Sequence, residues 1–314
     1  MEGIEDIYNR KFKKLRLSLL DHCNFNCSYC TMGSDNVASK PQQKVDFFVK
    51  RVAKLHQYLQ LDSIRLTGGE PLLYHELAIL IHELNKLDIP EITLTTNGFL
   101  LAKQASKLKN AGLDSINISL DAIDELTFQK ISKRKKVEEV LNGIETAIKV
   151  GLNVKLNAVI MKGINEQEIL PLLQYAFKLN IPIRFLELMS MGHLHEQAVS
   201  QIFTKDEILS SIAQHYQFTR VIRKASATAN YWQTQEGYFF GIIANESTPF
   251  CHDCNRLRMD AQGNLFGCLS SNKSVYMADE EPEELLKHKL QYAMKQKQSL
   301  KFTGSSLSML EIGG

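Results

Sequence analysis

Cysteine spacing carries the first chemical signal in this chain. Cys23, Cys27 and Cys30 stand at Cys-x3-Cys-x2-Cys spacing in Asp21-His22-Cys23-Asn24-Phe25-Asn26-Cys27-Ser28-Tyr29-Cys30. Three such thiolates can hold three corners of a four-iron, four-sulfur cluster, whose usual all-protein ligand set is four cysteines. The fourth iron then has no protein ligand and is open to a small molecule. A second triad, Cys251-x2-Cys254-x13-Cys268, is again one ligand short. A disulfide framework accounts poorly for these six residues, because it suits small secreted domains rather than a chain of 314 residues. Zinc competes on spacing alone: Cys-x2-Cys fits a tetrahedral site, with His22 or His252 as a nitrogen donor. Context outside the triads has to separate zinc from iron–sulfur.

Cations gather around the same motifs. In Asn255-Arg256-Leu257-Arg258, alternation puts both arginines on one face of an extended segment beside the second triad. Guanidinium forks bind phosphate and carboxylate, although two surface arginines on a strand give the same pattern. Arg16, Arg65, Lys155 and Arg184 add positive charge from other strands. The whole chain is nearly neutral, with 37 Lys+Arg against 35 Asp+Glu and a net charge of +2. Nucleic acid is therefore not an expected partner, and a multiply charged anion in one pocket is. Lys133-Arg134-Lys135-Lys136 reads as a solvated face before a helix. No run approaches the length of a membrane span. The charged segment Met1–Arg16 lacks the apolar stretch of a secretory signal, so a cytoplasmic protein is expected.

These side chains need a scaffold that brings them together. Short β-branched runs at Lys14–Leu20, Ser63–Thr67, Glu91–Thr95, Ser115–Leu120, Asn153–Ile160 and Ile183–Leu188 read as strands. Between them lie amphipathic segments at Val45–Gln60, Glu76–Leu87, Leu101–Ala111, Val137–Val150 and Asn165–Leu179, with Gly112 and Gly151 as helix stops. Repeated strand–helix units imply parallel strands joined by right-handed crossovers. Six units are too few for a closed eight-stranded barrel, so the expected fold is α/β, a partial (β/α)6 TIM-type barrel. Thr204–Tyr216 reads as a helix capped by Thr204 with Glu207. From Tyr231 the pattern turns β-rich: Tyr231–Thr234, Gly237–Ile243, Leu257–Asp260 and Asn264–Cys268 around a Gln262-Gly263 turn. The expected division is a core at residues 1–225 and a C-terminal β-rich domain at 226–314 that covers the open side.

In such barrels the catalytic groups sit beyond the C-terminal ends of the strands. The sequence puts the Cys23–Cys30 loop there, then Gly68-Gly69-Glu70, Thr95 with Asn97, and Ser119 with Asp121. Lys155 with Asn157, and Glu187 with Met189, complete the expected rim. Adjacent glycines permit close backbone approach to a ligand, and the Glu70 carboxylate is expected to accept hydrogen bonds from an ammonium group. An open iron that chelates the amino and carboxylate groups of S-adenosylmethionine accounts for both the incomplete triad and this turn. One electron passed into the sulfonium then gives a 5′-deoxyadenosyl radical. Gly313 and Gly314 could thread into a narrow site, although chain ends are commonly disordered.

Taken together, these blocks resemble the radical S-adenosylmethionine GTP 3′,8-cyclases of molybdenum-cofactor biosynthesis. The likeness runs through Leu15–Cys30, Ile64–Pro71, Leu94–Gly98, Ile116–Asp121, Val154–Asn165, Arg184–Met189, Phe250–Arg258, Gly263–Leu269 and Ile312-Gly313-Gly314. It implies two [4Fe–4S] clusters, the first binding S-adenosylmethionine and the second contacting the guanine of GTP. The radical would remove hydrogen from ribose C3′, and the sugar radical would attack guanine C8. The implied product is (8S)-3′,8-cyclo-7,8-dihydroguanosine 5′-triphosphate. By matching position, S-adenosylmethionine contacts fall at Tyr29, Gly69, Ser119 and Met189, to which the rim reading adds Gly68, Glu70 and Asn97. GTP contacts fall at Arg16, Arg65, Thr95, Lys155, Arg256, Leu257 through its main chain, and Arg258, with Arg184 added from the cation cluster. Gly313 and Gly314 would assist catalysis. An electron donor is implied as a partner, and a homodimer is left open.

Two departures stand out. Ser63 occupies a position where the family commonly has lysine, and losing one charge-assisted phosphate contact costs roughly 1.5–3 kcal/mol. The loop from Thr31 to Lys44 is short and reads Thr31-Met32 where Met-Pro is frequent. One alternative is a two-cluster relative that modifies a peptide or another nucleotide. The other is a non-enzymatic two-zinc structural or nucleic-acid-binding protein, which leaves the Gly68-Gly69-Glu70 turn unexplained.

Overall fold

The computed structural model describes residues 4–30, 41–195, 197–298 and 300–312. The Thr31-Met32 departure and the Gly313-Gly314 end lie outside the described residues. The six expected strands form at their expected places: β1 Lys14–Ser18, β2 Ser63–Thr67, β3 Glu91–Thr96, β4 Ser115–Ser119, β5 Asn153–Ile160 and β6 Ile183–Glu187. The intervening helices are α1 Val45–Leu59, α2 Leu77–Asn85, α3 Ala105–Asn110, α4 Glu125–Ser132, α5 Val137–Lys149 and α6 Ile169–Lys178. In α1 the predicted stripe is the buried face, with Phe48, Val52 and Leu55 at 0% exposure. Each such side chain stabilises the packed state by roughly 1.5–3 kcal/mol. Gly112 and Gly151 adopt φ of 96° and 79° after α3 and α5, the left-handed stop that a side chain resists.

Sequence and structure differ in several elements. Leu101–Ala111 is not one helix but a 3-10 turn at Leu101–Lys103 followed by α3. Asn165–Leu179 likewise opens with a 3-10 turn at Glu166–Glu168. The helix α4, absent from the periodicity reading, is short and capped by Asp124, whose carboxylate accepts from the Thr127 N–H at 2.8 Å. Further along, α7 Lys205–Ala213 carries the expected Thr204–Glu207 capping box. The C-terminal strands are β7 Phe218–Val221, β8 Asn230–Thr234, β9 Phe239–Ile243, β10 Arg256–Met259, β11 Asn264–Phe266 and β12 Val275–Tyr276. They are followed by α8 Glu283–Lys295 and α9 Met309–Ile312.

All twelve strands belong to one sheet, in the order β12-β11-β10-β1-β2-β3-β4-β5-β6-β9-β8-β7. The C-terminal strands therefore extend both edges of the six-stranded core. On one edge β10 lies parallel to β1, and on the other β9 lies parallel to β6. Antiparallel additions, β11–β12 and β8–β7, continue outward from these. The sheet stays open. A small apolar cluster forms separately from the main core: Met191 from beyond β6, Phe266 from β11, and Ile312 from α9 are all buried together. Main-chain bonds hold this tail down, since the Gly192 N–H donates to the carbonyls of Ser305 at 2.9 Å and Leu307 at 3.1 Å.

Candidate active site

One large cavity opens at the C-terminal ends of the core strands, and all six cysteines line it. The first triad sits on the loop after β1. That loop rests on the end of α4, where Asn26 and Ser28 N–H groups donate to the carbonyls of Ser132 (3.1 Å) and Ile131 (2.9 Å). Phe25 wedges edge-on between Phe99 and Phe128, with ring centroids 5.7 Å away on each side. On its other flank the loop meets Gly68-Gly69-Glu70. The Gly69 N–H donates to Leu20 O at 2.8 Å and the Glu70 N–H to His22 O at 3.0 Å. A Cβ on Gly69 would stand 1.7 Å from the His22 carbonyl oxygen. These glycines thus serve close approach to the cysteine loop itself, a role that local sequence could not separate from approach to a ligand.

Glu70 also holds donors of its own chain. Its Oε1 takes the Leu72 N–H (2.9 Å) and the Thr96 hydroxyl (2.5 Å), and its Oε2 takes the Asn97 N–H (2.8 Å). With about two lone pairs per oxygen, one acceptor position on Oε2 remains for a ligand. Burial raises this carboxyl to about 7 against those three donors. Asp121 is similarly committed, to the Tyr29 hydroxyl and the Val159 N–H, each at 2.8 Å. Glu187 holds the N–H groups of Lys205, Glu246 and Ser247 at 2.8–2.9 Å.

The thiols fit a polynuclear iron–sulfur site. Burial, with Glu70 nearby, pushes Cys23 up to about 12, and burial alone pushes Cys30 to about 11. Such thiols release their protons only to a strongly binding cation. Sulfur-directed donors are in place, with the Phe25 N–H at 3.4 Å and Asn97 Nδ2 at 3.7 Å from Cys23 Sγ. Among the described residues no three His, Cys, Asp or Glu side chains converge on one metal-ion position. Zinc would hold its sulfurs roughly 3.8 Å apart, from bonds of about 2.3 Å at tetrahedral angles. In the second triad burial likewise pushes Cys251 up to about 11, but at Cys254 Lys297 and Arg256 outweigh burial and bring the thiol down to about 6.

The arginines form a row. Across adjacent parallel strands, Arg258 of β10 is in register with Arg16 of β1, and Arg16 with Arg65 of β2. Arg256 lies two residues back on the same face. Strands stand about 4.8 Å apart. Neighbouring charges at roughly 5–8 Å, in an effective dielectric of about 20, repel by roughly 2–3 kcal/mol per pair. Burial and this mutual repulsion hold Arg16 and Arg65 well below the ordinary arginine range and bring Arg258 to about 10. Arg184 enters from β6, with Nε donating to Asn157 Oδ1 at 2.9 Å and its NH2 group to Asn117 Oδ1. Gly241 makes room for it, since a Cβ there would meet Arg184 Cγ at 3.1 Å. Among the described residues, Arg16, Arg65, Arg184 and Arg256 have no carboxylate within salt-bridge distance.

Most of the expected residues meet in this cavity. Tyr29, Gly68, Gly69, Glu70, Asn97, Ser119 and Met189 line it, as do Arg16, Arg65, Thr95, Arg184, Arg256 and Arg258. Two do not line it. Lys155 sits near the start of β5 and lines a separate cavity with Lys224, Arg223 and Tyr231. Leu257 is fully buried in the core. Thr228, Asn245 and Lys297 line the main cavity without having been singled out from sequence. None belongs to a quoted motif, and pairing at the sheet edges and the docking of α8 bring them in.

Comparison with known proteins agrees with this geometry. Residues 17–176 match the Radical SAM superfamily model, and residues 181–303 match Molybdenum Cofactor Synthesis C. GTP 3′,8-cyclases of Staphylococcus aureus strains JH9 and Newman are each 42% identical over 278 residues, covering 86% of this chain and 82% of the relative. Among solved structures, Streptococcus suis SuiB bound to precursor peptide SuiA aligns with a TM-score of 0.69 at 15% identity. That alignment covers 93% of this chain and 69% of SuiB. A structure described as native anSMEcpe with bound AdoMet aligns at 0.61 and 15% identity, over 87% of this chain and 80% of that one. At such identities these two speak for the fold alone. Sequence relatedness over most of the chain, two matching family models and a cavity built from both cysteine triads place this protein in the GTP 3′,8-cyclase family of radical SAM enzymes.

Proposed function

We propose that the protein is itself a GTP 3′,8-cyclase, with S-adenosylmethionine at the first triad and GTP between the first and second. The observation that carries the substrate assignment is the Arg258–Arg16–Arg65 row. Aligned like charges are costly unless an anion binds them, and a triphosphate supplies several negative oxygens. The first triad would hold the [4Fe–4S] cluster that radical SAM membership entails, and Cys251, Cys254 and Cys268 a second one. With S-adenosylmethionine bound, such a cluster supplies one-electron cleavage and a carbon radical able to take hydrogen from C3′.

The chain's own groups do the rest. The remaining lone pair of Glu70 Oε2 would accept from the cofactor's ammonium. Ser119 and Met189 line the same cavity, and Asp121 fixes the Tyr29 ring through its hydroxyl. Arg16, Arg65, Arg256 and Arg258 would orient the nucleotide and offset its charge, with Arg184 and Thr95 alongside. Lys155 would act from the strand-start end of the barrel, and Leu257 through its main chain. Gly313 and Gly314 would assist catalysis, and the clasp at Gly192, Ser305 and Leu307 would help exclude water. Chemically, residues 1–225 would serve radical generation and 226–314 the substrate-side cluster. A reducing cytoplasm suits six thiols outside any disulfide, and an electron donor must supply two electrons per turnover, one for sulfonium cleavage and one, with a proton, for the purine radical that attack on C8 leaves.

The charge missing at Ser63 stands one strand away. Lys14 is the register partner of Ser63, and its Nζ bonds the Ser226 hydroxyl at 2.9 Å. In this reading Lys14 takes over one phosphate contact. Lys14→Met should raise the GTP dissociation constant about tenfold, and adding Ser63→Lys should restore it, as titration calorimetry would record. Unaltered affinity in Lys14→Met removes Lys14 from the site.

Anaerobic reconstitution tests the whole assignment. With iron, sulfide, reductant, S-adenosylmethionine and GTP, the protein should bind about eight irons, as two four-iron clusters require. It should release 5′-deoxyadenosine and cyclised GTP in matched amounts. 5′-Deoxyadenosine without GTP consumption would favour a relative acting on another nucleotide or a peptide. Zinc uptake without iron would end the radical reading.

A further inference from the structure

Lys297 has no part in the reaction as described so far, yet its position is tightly determined. It follows α8, where its N–H donates to Met294 O at 3.0 Å. The end of α8 closes against the residue before Cys268 because that residue is Gly267, where a Cβ would stand 1.6 Å from the Ala293 carbonyl oxygen. The Lys297 side chain then turns into the cavity, with the whole residue 9% exposed. Its Nζ lies 3.2 Å from Cys254 Sγ and 5.7 Å from the centroid of the Phe12 ring. Among the described residues no carboxylate stands within salt-bridge distance of it.

A buried ammonium without an anionic partner costs several kcal/mol. The Phe12 ring offsets only a small part of this, and the group that the Lys297 Nζ meets is the Cys254 sulfur. An iron-bound thiolate removes the conflict. Three thiolates on a doubly positive four-iron core leave a net negative charge, which deepens when the cluster is reduced. Hydrogen bonds to the sulfurs and nearby charge are among the factors that set the potential of such clusters. Arg256 NH1 also approaches Cys254 Sγ, at 3.5 Å, but its NH2 group is tied to Ser226 O. Lys297 is the nearer and less exposed cation.

We propose that Lys297 is a positioning residue of the second cluster, donating a charge-assisted hydrogen bond to the Cys254 sulfur and thereby favouring the cluster's reduced state. This rests on the two-cluster reading. The function assigned to Lys297 is electrostatic: it makes the substrate-side cluster easier to reduce and balances its charge beside the arginine row.

The test is a dithionite titration of the reconstituted full-length protein, followed by electron paramagnetic resonance. The second cluster is the one whose signal S-adenosylmethionine does not perturb. In Lys297→Met its reduced-to-oxidised ratio should fall about tenfold at a fixed poise, a shift of 59 mV for one electron. Lys297→Arg, which keeps the cation, should recover most of that shift. An unmoved potential in Lys297→Met, with about eight irons retained, overturns the assignment. If Lys297→Met loses the second cluster's iron, retention in Lys297→Arg supports the electrostatic role, and loss in both overturns it in favour of packing. About four irons in the unaltered protein would sink the two-cluster reading itself, a separate failure.

Discussion

Gly69→Ala is expected to strip the first triad of its iron while leaving every cysteine in place. The added Cβ would lie 1.7 Å from the His22 carbonyl oxygen, 2.2 Å from its carbon and 2.9 Å from the Cys23 nitrogen. These are main-chain atoms, so no rotamer change relieves the overlap. Moving the loop outward would break the bonds from Gly69 N–H to Leu20 and from Glu70 N–H to His22. It would also carry Cys23 away from the Asn97 amide. A displacement of about 1 Å at a reacting centre commonly costs on the order of a hundredfold in rate. Iron should fall from about eight to about four per chain, and 5′-deoxyadenosine formation by at least about a hundredfold. The phenotype should match Cys23→Ala, which removes a ligand outright. Full iron content with normal cofactor cleavage would show that the loop tolerates the methyl group.

Arg16→Ala combined with Arg258→Ala should raise the GTP dissociation constant by at least about a hundredfold. Two charge-assisted contacts at roughly 1.5–3 kcal/mol each correspond to a factor of about 10²–10⁴. The same double change should leave thermal stability unchanged or raised, because it removes two members of a mutually repelling row. Ordinary destabilisation would lower affinity and stability together, so lost affinity with stability held or raised identifies a ligand-binding role. Calorimetric titration with GTP in the absence of reductant, beside a thermal melt, reads the two effects separately. Unchanged affinity would mean that the row serves some other anion.

The limits of the local reading are clearest at Glu70 and Lys155. Both are polar residues in apolar strand–turn patterns, and the pattern alone assigns both to the rim. Glu70 proves to be largely occupied by its own chain's donors. Lys155 opens on a different cavity, because its place near the start of β5 sets it below the rim. Helix α8 was missed although Leu286, Leu290, Ala293 and Met294, its buried residues, recur at helical spacing. The charged residues among them mask the stripe. Without α8, Lys297 has no visible connection to Cys254, 43 residues earlier.

By itself, the sequence determined the two cysteine triads, the strand–helix alternation and hence the open parallel barrel. Those depend on residue type and on spacings of a few positions, which covalent geometry translates directly into structure. Only the tertiary structure decided that the C-terminal strands join both edges of the core sheet, that β10 docks in register beside β1, and that three arginines consequently stand in line. Register between strands about 240 residues apart is set by the packing of whole faces, a sum over many weak apolar contacts that no short motif contains. The charge conflicts along that row, and around Lys297, exist only once this packing has been made.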